Sequence, residues 1–177
     1  KYFTNAVSEI VVGERSQINH FRVQQHNQDA FHIGTTQVLL SHDSNFTSLS
    51  LDLGGALVRN NLNLVMGAER AQCSLSGLYM VAGSQHVDNH IVVHHEKPYT
   101  TSRQFYRGVL DGKSRAVFHG NISVYKDAQK VDARQEDKNL LLSSQAEADT
   151  KPAFWINAND VKCSHGAASS NLDETTL

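Results

Sequence analysis

Apolar residues in this chain come in short runs and never line up at helical spacing, and this limits the fold more than any other feature. Ile10-Val11-Val12, Ile91-Val92-Val93, Ala116-Val117-Phe118 and Ile122-Ser123-Val124 lie between segments rich in Gly, Asn, Asp or Ser. Short β-branched and aromatic runs closed by turn formers are the punctuation of strands. In "SLSLDLGGALV" the alternation is explicit: Leu49, Leu51 and Leu53 share one face, Ser50 and Asp52 the other. The best helical candidates, Ala128–Lys138 and Ala68–Gln72, are rich in helix formers but carry no stripe at i, i+3, i+4, i+7. The chain reads as all-β.

Two all-β architectures remain open. Hairpin signals are scarce: there is no Asn-Gly, the one Asp-Gly (Asp111-Gly112) leads into a polar stretch, and there are 2 prolines. Many short strands with polar corners suit a solenoid, whose rungs of about 20–25 residues would number roughly 7–8 in a chain this long. A β-sandwich fits the spacing equally well, since no exact repeat is visible. Asn60, Asn61, Asn89, Asn121 and Asn139 are candidates for a corner ladder of stacked amides, or for ordinary turn residues.

Composition excludes several function classes. With 177 residues the chain is expected to form one domain, residues 1–177, with its own core. Its 16 basic and 18 acidic residues give a net charge of −2 and no basic stripe, so no nucleic-acid partner is expected. No apolar stretch approaches the roughly 20 residues of a membrane span. Two cysteines cannot build a disulfide framework and hint at a reducing compartment. The sequons at Asn45 and Asn121 are of a kind that arises often by chance. "KYFTNAVSEI" has neither a targeting signal nor an initiator Met and reads as the interior of a longer protein.

Two constellations could carry chemistry. In "QHVDNHIVVHHEKPYTTSR", His86, His90 and His94 recur every four residues, beside His95-Glu96. On a helix such spacing could hold zinc. The order is wrong for H-E-x-x-H, however, and Ile91-Val92-Val93 favours a strand. There the spacing spans about 13 Å, too far for one ion. Near the end of the chain Cys163 and His165 stand at i and i+2, on one strand face. An imidazolium could lower the thiol pKa, the pair could ligate iron, or the thiol could carry a persulfide sulfur. From the spacing alone, a buried cysteine beside a surface histidine in an ordinary strand is the favoured reading. Cys73 has no nearby histidine and reads as core. No helix follows Cys163 to form an oxyanion hole, and there is no phosphate-binding G-x-x-x-x-G-K-[ST] loop.

Three stretches together resemble the SufB/SufD family of iron–sulfur cluster assembly proteins: "TSRQFYRGVLDGKSRAVFHGNI", "DAQKVDARQEDKNLLLSSQAEADTKP" and "DVKCSHGA". The resemblance is strong from Leu75 to about Ala167 and looser upstream. The run "KCSHGA" is similar to the SufD branch, whereas the SufB branch typically carries a Glu between its Cys and His. The resemblance implies a right-handed parallel β-helix, which decides against the sandwich, and a non-catalytic scaffold subunit. The family's helical flanks, one of which docks the SufC ATPase, have no counterpart within these residues. It further implies SufB and SufC as partners, with self-pairing possible in isolation. A nascent iron–sulfur cluster would be shared transiently at the SufB contact, with no cofactor held by this chain alone. Cys163 and His165 are carried over as the cluster-assembly and interface residues, His165 being the better candidate ligand. The expected location is the cytoplasm, or the plastid stroma for a plant or algal chain.

Overall fold

The computed structural model describes residues 1–171, which form twelve β-strands and no helix. One sheet contains, in order, β1 (Tyr2–Val12), β3 (Ala30–Leu40), β5 (Leu57–Met66), β7 (His86–His95), β9 (Arg115–Val124) and β11 (Glu147–Ile156). The other contains β2 (Gln17–Gln24), β4 (Asn45–Asp52), β6 (Gln72–Val81), β8 (Thr101–Leu110), β10 (Asp132–Leu141) and β12 (Lys162–Asn171). Every neighbouring pair is parallel and in register. The chain changes sheet after each strand, so this is a β-helix of six rungs, not a sandwich of antiparallel sheets. Rungs are longer and fewer than the sequence led us to expect. The offset between stacked residues runs from 26 (Phe31 over Leu57) to 32 (Arg115 over Glu147), because each rung holds two strands of mostly ten residues.

The corners repeat in geometry, not in residue type. Arg15, Asp43, Arg70, Tyr99 and Lys130 occupy the turn from first-sheet to second-sheet strand in successive rungs, all left-handed with φ between 54° and 62°. The N–H of each donates to a carbonyl of the next rung's corner, those of His42, Glu69, Pro98, Gln129 and Asp160. This bond ladder holds five non-glycine residues in a conformation that such residues seldom adopt. Glycine serves part of the opposite corner: Gly112 has φ 66°, and a Cβ there would lie 2.9 Å from the Gly83 nitrogen. Asparagine ladders do exist, but inside the strands. Asn60 and Asn89 are buried mid-strand, and the Asn60 amide donates to Asn89 Oδ1 at 2.9 Å. Asn139 is also buried mid-strand, whereas Asn61 and Asn121 are half-buried on the outer face.

The interior is divided lengthwise. Beside the first corner it is mainly apolar, with Val38, Leu40, Leu64, Met66, Val93, Ile122 and Val124 facing Phe46, Cys73 and Leu75. Towards the opposite corner a polar seam runs through it, with Val58, Val81, Val87, Leu110 and Ala116 closing the corner itself. Asp52 lies in the seam, paired with Arg22 (2.9 and 3.0 Å) and with the Asn60 amide (2.9 Å). Further along, Asp137 accepts from Thr150 (2.6 Å) and Asn139 (2.8 Å), and Tyr79 Oη lies 3.0 Å from it. Burial pushes the Asp137 carboxyl up despite these bonds. The alternation in "SLSLDL" is therefore inverted relative to a simple oily core: Ser48, Ser50 and Asp52 are buried while Leu49 and Leu51 face outward. Buried polar groups survive where they are paired, and here partners come from the next rung, as Asn89 does for Asn60, or from the facing strand, as Thr150 does for Asp137.

Close packing limits side-chain size. Gly108 lies beneath Tyr79 and Asn139, and a Cβ on it would sit 2.2 Å from both. Gly108→Ala is predicted to destabilise the fold by about 1–3 kcal/mol through overpacking, read from chemical denaturation. His95 is fully buried between Thr100 Oγ1 (2.7 Å) and Ser102 Oγ (2.9 Å), and burial pushes its imidazole down to about 3. The unfolded chain then binds one more proton than the folded chain between that value and the ordinary 6.5. Stability should fall as pH drops through this window, by up to about 1.4 kcal/mol per pH unit from this group. A His95→Gln variant is expected to show a shallower dependence when unfolding is followed at several pH values.

Candidate functional site at the last rung

β11 and β12 form the final rung among the described residues. β11 bonds only to β9 and β12 only to β10, so each presents one open edge. Pro152 in β11 fits such a place, since a proline cannot donate to a continuing ladder. Open edges are templates for another chain.

Cys163 and His165 lie on this rung, as the sequence suggested. In register, Cys163 stacks on Ala133 and His165 on Gln135, both of which point inward. The two therefore continue the interior columns out to the open end, about 6.6 Å apart along the strand. Cys163 is half-buried against the core together with Val161 and Phe154. His165 is exposed, and its ring meets Phe154 edge to face at 5.0 Å. Trp155, next in sequence to Phe154 and 66% exposed, lies on the outer face of β11.

The electrostatics remove one of the readings left open by spacing. Burial pushes the Cys163 thiol up, and the nearby Asp132 carboxylate adds to the rise, against a hydrogen bond from the Ala133 backbone. In this environment the Cys163 thiolate is disfavoured. Cys73, buried in the core as expected, is pushed up to about 12. Among the described residues no three His, Cys, Asp or Glu side chains converge on a common point. Cys163 and His165 offer two donors at an open edge.

The histidine-rich strand behaves differently. His86, Asp88, His90 and His94 do share the outer face of β7, but Asp88, His90 and His94 are tied to neighbours. His90 Nε2 lies 2.9 Å from Asp88 and its ring 5.0 Å from that of His119 one rung on. His94 reaches Tyr125 at 3.4 Å, and His95 points into the core. Sequence reasoning missed Phe154 and Gln135 as neighbours of His165. They lie 11 and 30 positions away, and only the register brings them together.

The family model described as "SUF system FeS cluster assembly, SufBD core domain" matches residues 1–177. The chain belongs to the SufBD core-domain family. An iron–sulfur cluster assembly SufBD family protein of Synechocystis sp. is 38% identical over 172 residues, which is 97% of this chain and 38% of that protein. The iron–sulfur cluster assembly protein SufD of Escherichia coli is 34% identical over 177 residues, covering 100% of this chain and 42% of that protein. Protein ABCI7, chloroplastic, of Arabidopsis thaliana is 34% identical over 99% of this chain and 37% of its own length. This SufBD core thus spans less than half the length of these relatives. No helix among its described residues is long and apolar enough to cross a membrane.

The thiol environments predict a reactivity order. At pH 7 Cys163 should alkylate more slowly than a free cysteine, with a rate still rising beyond pH 9, because its thiolate is disfavoured. Cys73 should stay unmodified until the protein unfolds. Mass spectrometry after timed iodoacetamide exposure reads both.

Proposed function

We propose that this chain is the β-helical core of a scaffold subunit for iron–sulfur cluster biogenesis, of the SufD kind, that is not itself a catalyst. Its last rung meets a SufB subunit, and the nascent cluster forms between them as cargo. The SufC ATPase belongs to the same assembly through other segments of the protein. The observation that carries this reading is the pair Cys163–His165 at the open end of the interior columns, within a chain matched throughout by the SufBD core family.

The chemistry favours His165 as the iron ligand. A neutral imidazole binds iron without losing a proton, whereas a thiol must release one. The Cys163 proton is held more tightly than usual. Cys163 therefore ligates only once a metal or a partner's charge compensates its burial. Two donors from one chain leave further positions to the partner, and cluster sites draw on several cysteine or histidine ligands. Phe154 against the His165 ring restricts its rotation and keeps it near the edge.

A second reading is favoured by the unpaired edges and the exposed Trp155: the last rung serves pairing alone, with a SufB-type partner or a second copy, and Cys163–His165 are inert.

His165→Ala in the full-length protein is expected to lower maturation of target iron–sulfur proteins in cells at least ten-fold, with an unchanged unfolding midpoint and intact pairing. Cys163→Ser is expected to have a smaller effect. Unchanged maturation in both variants would reject the ligand role and leave the pairing role. Trp155→Glu should weaken pairing under either reading, measured by analytical ultracentrifugation of the mixed subunits.

A further inference from the structure

The register gathers cations that the sequence scatters. On the outer face of the second sheet Arg103 of β8 stacks on Arg134 of β10, and Arg107 of β8 stacks on Lys138 of β10. Like charges directly opposite on neighbouring strands repel and destabilise a sheet, and here two such pairs lie side by side. Both strands are bonded on each side, so this face does not depend on either end of the β-helix.

Two carboxylates serve the four cations. Asp132 is taken by Arg103, at 2.7 and 3.0 Å. Glu136 is shared by the other three: Arg107, Lys138 at 3.2 Å and Arg134 at 3.4 Å. Hydrogen bonds from Lys138 and Arg107 hold its carboxyl below the usual range, so its one negative charge is already spent among them. Positive charge is left over on this face, although the chain as a whole carries −2. It lies where a partner could reach it, because the Arg134 and Lys138 side chains are 56% and 55% exposed. The Arg134 guanidinium also sits over the outward Phe105 ring, 5.8 Å from its centre.

The same face continues into an apolar strip. Leu51 stacks on Leu78, and Leu78 on Arg107. Beside them Met80 stacks on Val109, and Val109 on Leu140. All of these alternate with buried residues and so point away from the core. Met80 is 48% exposed. The outward leucines of "SLSLDL" thus belong to a surface that neither the core nor the last rung uses.

Apolar side chains bordering an excess of cations select an occupant that is both acidic and apolar. A nucleic-acid backbone has nothing to set against the leucines, and its phosphates would meet Asp132 and Glu136 as like charges. An anionic bilayer meets the same two carboxylates. A polypeptide satisfies both halves by placing Asp or Glu beside Leu-type residues, and Arg, Met and aromatic side chains are the types enriched at protein interfaces.

We propose that the outer face of β4, β6, β8 and β10 docks an acidic, amphipathic segment of a partner protein, its carboxylates on Arg134 and Lys138 and its apolar side chains on Leu51, Leu78 and Met80. This docking is separate from pairing at the last rung, which uses strand edges and not this face.

The test titrates the full-length protein into a fluorescein-labelled amphipathic peptide of Leu and Glu and reads fluorescence anisotropy. Saturable binding is expected, weakening as salt rises because exposed charges are screened. The same peptide with Gln in place of every Glu should bind about ten-fold more weakly or worse. Arg134→Gln combined with Lys138→Gln should weaken the Glu peptide by about ten-fold, with the unfolding midpoint and last-rung pairing unchanged. Lys113→Gln combined with Lys151→Gln, cations away from this face, should leave binding intact. Met80→Gln should weaken it about three-fold through lost apolar contact. The proposal is overturned by an absence of saturable binding, by unchanged affinity in the folded Arg134/Lys138 variant, by an equal loss in the Lys113/Lys151 variant, or by a Met80→Gln protein that binds as before. Tighter binding of duplex DNA or of phosphatidylglycerol vesicles than of the peptide would overturn it as well. Shielding of Lys138 from acetylation in the free full-length protein would assign the face to the protein's own remaining segments and reject a separate partner.

Discussion

Each inner strand bonds in register to the strands one rung before and one rung after it, so a side chain's neighbours are residues some thirty positions away. Parallel stacking sets the columns, and the columns set the chemistry of the interior. Asp52 has Tyr79 above it in its own sheet and meets Asn60 from the facing one. Cys163 stands at the end of a column that runs down through Ala133, Ser102 and Cys73. A side chain at the open end inherits the geometry of the column below it, which is how a strand with little burial of its own holds a thiol and an imidazole in fixed places.

The lengthwise division of the interior follows from the same constraint. A polar side chain inside is stabilised where an adjacent rung or the facing strand supplies a partner at the same height, and repetition makes that supply recur. Arg22–Asp52–Asn60–Asn89 and Tyr79–Asp137–Asn139–Thr150 are two stretches of one polar seam. Within each, most capacity is satisfied, though Asn60 Oδ1 and Asn89 Nδ2 find no partner. The apolar side chains on either side of this seam supply the oily burial that drives folding. The two ends of the molecule thus differ in kind. The last rung exposes a thiol and an imidazole, and the first two rungs carry the Arg22–Asp52 pair inside.

Much of this was legible in the sequence and some was not. Alternation identified strands, and the i, i+2 spacing placed Cys163 and His165 on one face, where they are found. Family motifs turned an open choice between sandwich and solenoid into a β-helix. The corners were invisible because Arg15, Asp43, Arg70, Tyr99 and Lys130 share a backbone conformation and no chemistry. Asparagines were read as corner residues because amides favour turns, whereas Asn60 and Asn89 find amide partners inside. Leu49 and Leu51 mislead for the opposite reason: a serine-and-aspartate face looks like an exterior until its partners from other rungs are known. Phe154 and Gln135 could be assigned to the site only after the register was fixed.

The stacked left-handed corners have a consequence for how such a chain tolerates change. The spacing between them varies, 28 residues from Arg15 to Asp43 and 31 from Tyr99 to Lys130, yet each turn docks onto the one before. Every turn therefore restarts the count of inward and outward positions. An inserted residue would reverse the faces of one strand, and the next docked corner would restore the phase for all that follow. Errors stay within a rung, and rungs of unequal length can drift apart in sequence until no repeat is visible while the columns through them remain unbroken.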